Sequence, residues 1–168
     1  MVLQEAKKEF IAAWGSFGSN WGINRTMAQI HALLMISSEP ISAEEVMDNL
    51  HISRGNANMN LRELINWGLV NRTILRGERK EFFTAEKDIF KVTRIIARER
   101  KKRELEPMLK FLESISHVEG DTNDKDIKTF TDTIAGIKKL GEQTDKSLDK
   151  LIKAEENWFW GTMIKLLS

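Results

Sequence analysis

The spacing of apolar side chains predicts two helices at the start of the chain. Apolar residues recur at helical intervals over 2–18 and again over 26–37. Glu39-Pro40 ends the second helix, because the residue before a proline disfavours the helical conformation. The N-terminal part of the protein is therefore expected to be helical.

A pair of shorter helices follows. Ser42-Ala-Glu-Glu45 has the sequence of a capping box, in which serine and glutamate satisfy each other's backbone N–H groups, and it begins a helix that ends near Leu50. After the short connection His51-Ile52, Ser53 can cap another helix, which Gly68 ends. Two helices joined by so short a connection are typical of a helix-turn-helix.

The hydrophobic period then changes from helical to extended. Residues 69–75 and 80–84 are predicted to form two strands, with a turn at Arg76-Gly-Glu-Arg79 between them. A long helix over 86–114 follows, in which Pro107 marks either a kink or a break. This order predicts a winged helix-turn-helix, which is a mainly α fold with a small β-hairpin wing.

A polar linker at 119–124 leads to a last helical segment, 124–167. A heptad spacing that is broken at Gly141 links seven residues, all apolar except Thr144: Ile127, Phe130, Ile134, Ile137, Thr144, Leu148 and Leu151. The stripe can pack on its own domain, but an apolar seam beyond a compact domain is more often an interface. We therefore expect a homodimer, held by this stripe together with Phe10 and Trp14 of the first helix.

The composition indicates a soluble protein. Of the 168 residues, 41% are hydrophobic and 30% charged, which suits one domain with an oligomerising extension. The absence of cysteine excludes disulfides and thiolate zinc sites and favours a reducing compartment. The first residues mix charged with apolar side chains, unlike a signal peptide, and no apolar run approaches the ~20 residues that span a bilayer. We expect a cytoplasmic protein without membrane contact.

The sequence contains no motif for catalysis or metal binding. His31, His51 and His117 are scattered without the spacing of metal ligands. No phosphate-binding loop and no nucleophile motif is present. We expect neither a metal nor a cofactor, and no enzymatic activity.

Charge is distributed unevenly, although the net charge is only +1. Residues 51–110 contain 15 Lys and Arg against 8 Asp and Glu, a net of +7, whereas the remaining 11 basic and 17 acidic residues carry −6. This asymmetry indicates either a basic surface on one part of the molecule or helices that are solvated differently. The run RERKKR from Arg98 to Arg103 leaves a similar choice between a phosphate contact and a solvated helix face.

The helix at 53–67 is rich in asparagine, a poor helix former because its amide competes for backbone hydrogen bonds. Its apolar residues share one face, Asn56 and Arg62 lie on the other, and Asn58 and Asn60 flank that outward face. An asparagine amide both donates and accepts, as the bidentate reading of adenine in the major groove requires. The asparagines therefore indicate a helix that reads DNA.

The turn between the two strands is basic. Arg76 and Arg79 lie at the predicted hairpin tip, and Lys80 follows them. Basic side chains at such a tip can enter the minor groove of DNA. Together with the asparagine-rich helix, whose N-terminus favours phosphate, the hairpin predicts binding to double-stranded DNA.

A family resemblance rests on these same residues. The segment SAEEVMDNLHISRGNANMNLRELINWGLV (42–70), followed by RGERKEFFTAEKD (76–88), resembles MarR-type winged-helix transcriptional regulators. Within them it is most similar to the GbsR branch, in its serine-initiated recognition helix, its LRELINWGLV and its GERKEFF wing. The preceding GINRTMAQIHALLMISSEPIS also fits that branch. The resemblance covers about 1–115 and is specific over 22–90.

The resemblance implies a homodimer that binds a palindromic operator in double-stranded DNA, usually as a repressor, with a small-molecule effector as a switch. Matching positions give the recognition helix and the wing these candidate DNA contacts: Ser53, Arg54, Asn56, Asn58, Arg62, Arg76, Arg79 and Lys80. Ser42, the first residue of the capping box, completes the set of DNA-binding candidates.

The predicted organisation has three parts. A dimerisation helix (1–21) precedes the winged helix-turn-helix domain with its long following helix (22–115), and a helical dimerisation region (116–168) ends the chain. The alternative function is a winged-helix module for protein–protein contacts that does not read DNA. The arginines on the outward helix face and at the hairpin tip argue against it.

Overall fold

The computed structural model describes residues 1–120 and 124–153. In chain order these ranges form α1 (Leu3–Asn20), α2 (Arg25–Ile36), β1 (Ile41–Ser42), α3 (Ala43–Leu50), α4 (Arg54–Trp67), β2 (Val70–Ile74), β3 (Glu81–Ala85), α5 (Ile89–Arg100), a π-helical turn (Lys101–Leu105), α6 (Glu106–Ser114) and α7 (Lys125–Lys153). The mainly α fold with a small β-sheet that the sequence predicts is confirmed. The end of the predicted last helix, 154–167, lies outside the described residues.

The chain forms two compact units. The first is Met1–Val92, and the second begins at Thr93. The first unit contains the helix-turn-helix and the sheet together with α1. The three-part organisation predicted from the sequence assigns a dimerisation or DNA-binding role to each segment. The division into compact units does not test these roles, and they stay predictions.

Helix α1 packs closely against α2 because small residues face each other. Gly15 and Gly18 are the buried residues of α1. A Cβ atom added at Gly18 would lie 2.6 Å from the Cβ of Ala28, which is closer than two carbon atoms can approach. The glycine is therefore required by contact with α2, and α1 is an integral part of the first unit.

The core of the first unit forms around α2, which contacts α1, α3, α4 and β3. Ile30 and Leu34 of α2 are almost completely buried, as are Leu61 and Leu64 of α4. His31 lies among them with 3% of its surface exposed, and its Nε2 has no hydrogen-bond partner within the described residues. Burial lowers the pKa of His31 from 6.5 to about 4, because the charged imidazolium loses its hydration.

The capping box predicted at the start of α3 is confirmed. The carboxylate of Glu45 accepts hydrogen bonds from the backbone N–H and the hydroxyl of Ser42, both at 2.7 Å, and the hydroxyl oxygen accepts from the N–H of Glu45 at 3.3 Å. These hydrogen bonds lower the pKa of Glu45, since they stabilise its charged form. The box fixes where α3 begins.

The turn between α3 and α4 is as tight as the sequence predicts. His51 adopts the left-handed conformation with φ of 51°, and the N–H of Ile52 donates to the carbonyl oxygen of Met47 at 3.2 Å. Ser53 then caps α4, because its hydroxyl oxygen accepts from the N–H of Asn56 at 3.3 Å. Gly68, with φ of 81°, ends α4. The N-terminal turn of α4 is therefore held at both its cap and its connection.

The sheet has three antiparallel strands in the order β1-β3-β2. The predicted hairpin is confirmed, with Val70 paired to Ala85 and Ile74 to Glu81. On the other edge of β3, Ile41 pairs with Phe83. The two-residue strand β1 carries no periodic signal of its own, and only the neighbouring β3 makes it a strand.

The predicted helix over 86–114 is divided into α5, the π-helical turn and α6. Pro107 lies in the first turn of α6, just after the π-helical turn. A proline lacks the N–H of a regular helix and crowds the carbonyl group four residues earlier, here that of Arg103. The wider π-helical turn (Lys101–Leu105) accommodates this mismatch, so the chain stays helical. The two outcomes predicted for Pro107, a kink or a break, therefore do not fully describe this segment.

In the second unit α7 packs against α6 and the π-helical turn. A Cβ atom added at Gly141 would lie 2.7 Å from Cδ2 of Leu109, so the heptad break is a point of close helix contact. Nζ of Lys101 binds the carboxylates of Asp145 and Asp149 at 3.2 and 2.5 Å. The pKa of Lys101 is raised, mainly because its ammonium group donates a hydrogen bond to Asp149. Among the described helices, none is both long and apolar enough to cross a lipid bilayer.

Candidate nucleic-acid interface

Helix α4 has one buried face and one polar face. Ala57, Leu61 and Leu64 are buried against the first unit. Arg54, Asn58 and Arg62 are exposed, as is Met59 with 59% of its surface accessible. Neither Arg54 nor Arg62 pairs with a carboxylate in the described part of the chain. The outward face of α4 therefore presents two free guanidinium groups beside polar amides.

The three asparagines of α4 have different environments. Asn58 is exposed, Asn56 is half-buried, and Asn60 is buried with 3% of its surface accessible. Nδ2 of Asn60 donates to the backbone oxygen of Asn56 at 2.9 Å and to Oδ1 of Asn56 at 2.7 Å. The sequence-based interpretation that the asparagine amides point outward thus holds for Asn58 and in part for Asn56. For Asn60 it is corrected, because its amide is used inside the helix.

The two serine candidates are helix caps. Ser53 is exposed at the start of α4, within reach of a partner. Ser42 is completely buried, and its hydroxyl group is bonded to Glu45. The structure therefore places Ser53 at the surface beside the other candidates and keeps Ser42 below it, as the cap that orients α3.

The wing consists of β2, β3 and the connecting residues 75–80. Arg76, Arg79 and Lys80 are all exposed there, around Gly77, whose φ of 87° makes the tight turn. Nζ of Lys80 lies 5.3 Å from the ring centre of Phe82. Within the described residues Arg76 and Arg79 make no ion pair, and together with Lys80 they outnumber Glu78, the one acidic residue of the tip.

A cleft of about 270 Å³ separates α4 from the base of the wing. Its polar lining consists of Asn58 and Arg62 from α4 and of Arg72 and Glu81 from the strands. Nη1 of Arg72 donates to Oε1 of Glu81 at 2.8 Å, and both side chains remain about half exposed. Sequence reasoning missed Arg72, although its position in a strand next to the basic hairpin was a usable signal.

The basic run RERKKR is largely occupied by ion pairs. Arg100 binds Glu104, Arg103 binds Glu99, and Lys101 is held by the two aspartates of α7. Most of this run is therefore engaged in ion pairs within the second unit, and Arg98, Lys102 and Arg103 are exposed.

The candidate dimerisation residues separate into buried and exposed sets. On α7, Ile134 is buried with 8% exposure, whereas Phe130 and Ile137 are 41% and 44% exposed. Three others are partly buried: Ile127, Leu148 and Leu151. On α1, the rings of Phe10 and Trp14 contact each other with 5.5 Å between their centres. The heptad stripe thus serves partly as core of the second unit and partly as exposed apolar surface.

Comparisons with known proteins agree with this architecture. Residues 21–81, which contain the helix-turn-helix and most of the wing, match the model of the MarR family. A solved structure described as "Crystal Structure of a transcriptional regulator" is similar in fold, with a TM-score of 0.54 and 19% sequence identity over 86% of this chain and 99% of that chain. None of the curated proteins matches the sequence.

The fold defines the class of the first unit. It is a winged helix-turn-helix, and its residues 21–81 are similar to the MarR family. Helix α4 is the second helix of the helix-turn-helix and therefore takes the place of the recognition helix, and β2 and β3 form the wing. We use these two names from here on.

Proposed function

We propose that the protein is a sequence-specific, double-stranded DNA-binding transcriptional repressor that acts as a homodimer on a palindromic operator. The observation that carries this proposal is the row of exposed arginines, without carboxylate partners in the described chain, on α4 and at the wing tip. Exposed arginines of this kind lose little favourable interaction within the protein on binding DNA, because no internal ion pair has to be broken first. The protein acts by binding, and no catalytic step is part of the proposal.

The recognition helix supplies contacts to bases. An α-helix fits the major groove, where each base pair presents its own pattern of donors and acceptors. Arg62 lies on the outward face and can donate two hydrogen bonds to O6 and N7 of one guanine. The free N–H groups in the first turn of α4, near Arg54 and Gly55, favour a backbone phosphate.

The wing supplies contacts to the backbone and the minor groove. Arg76 and Arg79 project from a tight hairpin turn and are free of ion pairs in the described chain. Phosphate neutralisation by such residues gives affinity without base preference, because it releases counterions from any sequence. Base reading is thus assigned to α4 and general affinity to the wing.

Dimerisation supplies the second half-site. One recognition helix reads only a few base pairs, and dimers of this architecture place two of them about 34–36 Å apart. Phe130 and Ile137 lie seven residues apart on α7, and both are exposed in the single chain. A second copy that covers them would remove apolar surface from water, which favours association by about 25 cal/mol per Å².

The proposal extends to a small-molecule effector and to the GbsR branch. The second unit has a cavity of about 390 Å³ with apolar walls that include Ala97, Leu105, Met108 and Leu148. The charged groups at its edge are ion-paired, as in Arg100 with Glu104. Such a cavity suits an uncharged, largely apolar effector. The branch assignment rests on the LRELINWGLV and GERKEFF segments, which form the end of α4 and the wing.

Selection of bound sequences from random duplex DNA tests the function directly. We expect the wild-type protein to enrich two inverted half-sites. Arg62→Ala should lose preference at one base pair in each half-site, whereas the matched control Arg25→Ala, an exposed arginine on α2, should not. Without any enriched sequence the DNA-reading function is refuted, and the protein–protein module becomes the better reading of the same fold.

A further inference from the structure

Asn60 is a buried polar residue in the middle of the recognition helix. Both N–H groups of its amide donate to Asn56, one to the backbone oxygen and one to the side-chain Oδ1, at 2.9 and 2.7 Å. Buried polar groups cost free energy unless they are hydrogen-bonded, and here the Asn60 amide nitrogen is fully satisfied. Asn60 is too deeply buried to contact DNA itself.

These bonds fix the orientation of the Asn56 amide. Its Oδ1 accepts from Asn60, so Oδ1 faces inward and Nδ2 faces away from Asn60. Nδ2 of Asn56 has no hydrogen-bond partner among the described residues, and it is not an enclosed atom. Rotating the amide by half a turn would place two NH₂ groups against each other. The outward orientation of the donor is therefore the stable one.

We infer that Asn56 reads a base through its donor alone and selects against cytosine, with Asn60 as the positioning residue. This inference rests on the proposed function, in which α4 lies in the major groove. There guanine (O6 and N7), thymine (O4) and adenine (N7) each present an acceptor, whereas cytosine presents only its N4 donor. Bidentate reading of adenine, predicted from the sequence, needs Oδ1 as well as Nδ2 to face the base, and the bond from Asn60 turns Oδ1 inward.

The test compares base preferences of variants in selections from random duplex DNA. Asn56→Ala first identifies the base pair that residue 56 reads, as the position where preference is lost. At that position the wild-type protein should disfavour cytosine on one strand by about fivefold or more. Asn56→Asp keeps the shape and the bond from Asn60 but turns an acceptor outward, so preference should switch to cytosine or adenine on the same strand.

Asn60→Leu tests the positioning role. Leucine has a similar size and fills the buried site without donating, so the Asn56 amide becomes free to rotate. Preference at the identified base pair should then fall below about twofold, because donor and acceptor orientations compete, while preferences set by Arg62 persist. Circular dichroism and thermal unfolding show whether this variant folds, and Asn56→Asp tests the donor assignment independently of it.

A matched control separates charge from hydrogen-bond direction. Asn71 is exposed on β2, so Asn71→Asp adds the same negative charge to the wing side of the interface. It should weaken binding without changing base preference. The inference is overturned if Asn56→Ala alters no position, if Asn56→Asp keeps the wild-type preference, or if folded Asn60→Leu keeps it. If the wild-type protein enriches no sequence, the proposed function is refuted together with the inference. If it enriches a sequence but the variants do not behave as expected, only the inference fails.

Discussion

Arg72 of β2 and Glu81 of β3 form an ion pair across the base of the wing, with 2.8 Å between Nη1 and Oε1. The pair borders the cleft that also contains Arg62 and Asn58 of the recognition helix. In a winged helix on DNA, the phosphate ridge between the two grooves runs between the helix and the wing. In the proposed complex Glu81 would therefore compete with a phosphate for the guanidinium of Arg72.

Removal of the carboxylate charge should strengthen DNA binding. We expect Glu81→Gln to raise affinity about two- to fivefold at low salt, since exposed ion pairs are weak and the released Arg72 can bind a phosphate. Arg72→Ala should lower affinity. The measurement is fluorescence anisotropy with a labelled duplex. Glu9→Gln, at an exposed position of α1, is the control for overall charge. Unchanged or weaker binding of Glu81→Gln would show that this cleft does not face phosphate.

The wing tip should determine the salt dependence. Arg76→Ala combined with Arg79→Ala removes two phosphate-neutralising charges, so the slope of log affinity against log salt should become shallower by about 1.8. Affinity should fall for specific and unrelated duplexes alike. The control is Lys8→Ala with Arg25→Ala, which removes two exposed basic residues from α1 and α2. A slope equal to that of the wild type would exclude the tip from the interface.

The exposed part of the α7 stripe should hold the dimer. Phe130→Asp with Ile137→Asp places charge on two exposed apolar positions, and in a two-fold interface each change counts twice. Burial of one such side chain is worth about 1.5–3 kcal/mol, so the variant should sediment as a monomer at micromolar concentration. Ile134 is unsuitable for this test because it is already buried within the second unit.

A polar pair on the same helix provides the control for the dimer experiment. Thr129 and Thr133 are exposed on α7, so Thr129→Asp with Thr133→Asp adds equal charge without touching the apolar stripe. This control should remain a dimer. If the Phe130 and Ile137 variant stays dimeric as well, the two-fold interface lies elsewhere.

Burial of His31 should make stability depend on pH. Its pKa in the folded protein is about 4, below the ordinary 6.5, so protonation favours the unfolded chain. The stabilisation is therefore fully present above pH 6.5 and decreases as pH falls towards 4. Between pH 7.5 and 5 the free energy of unfolding should drop by about 2 kcal/mol from this group. Denaturant titrations of wild type and His31→Leu isolate it, and equal pH profiles for the two would contradict this assignment.

The regular elements of the fold could be predicted because each carries its own signal. The period of apolar residues located α1 to α4 within a few residues, and Ser42, Glu45 and Gly68 marked where helices begin and end. Strand β1 was not predictable, since two residues have no period and the strand exists only because Ile41 pairs with Phe83. The π-helical turn was not predicted either, because Pro107 alone does not determine whether the helix kinks, breaks or widens.

The sequence predicted which face of the helix carries the candidate site, but it did not predict the contacts of the side chains there. Helical spacing placed Arg62 outward and Asn58 on one flank of that face, and both are exposed. The same spacing put Asn60 at a flank, where a shift of a few tens of degrees decides between solvent and core. Its burial and its bond to Asn56 follow from tertiary packing, which periodicity cannot resolve. The pairing of Arg72 with Glu81 could not be predicted, because it depends on the register between β2 and β3.

Equilibrium binding of the wild-type protein to two duplexes tests the central claim most directly. One duplex carries the sequence enriched by selection, and the other has the same bases in shuffled order, both at about 0.15 M salt. Specific DNA-binding proteins prefer their site over unrelated DNA by a factor on the order of 10³ or more, and we expect at least that ratio. Equal affinities for the two duplexes would contradict a protein that reads base sequence with its recognition helix.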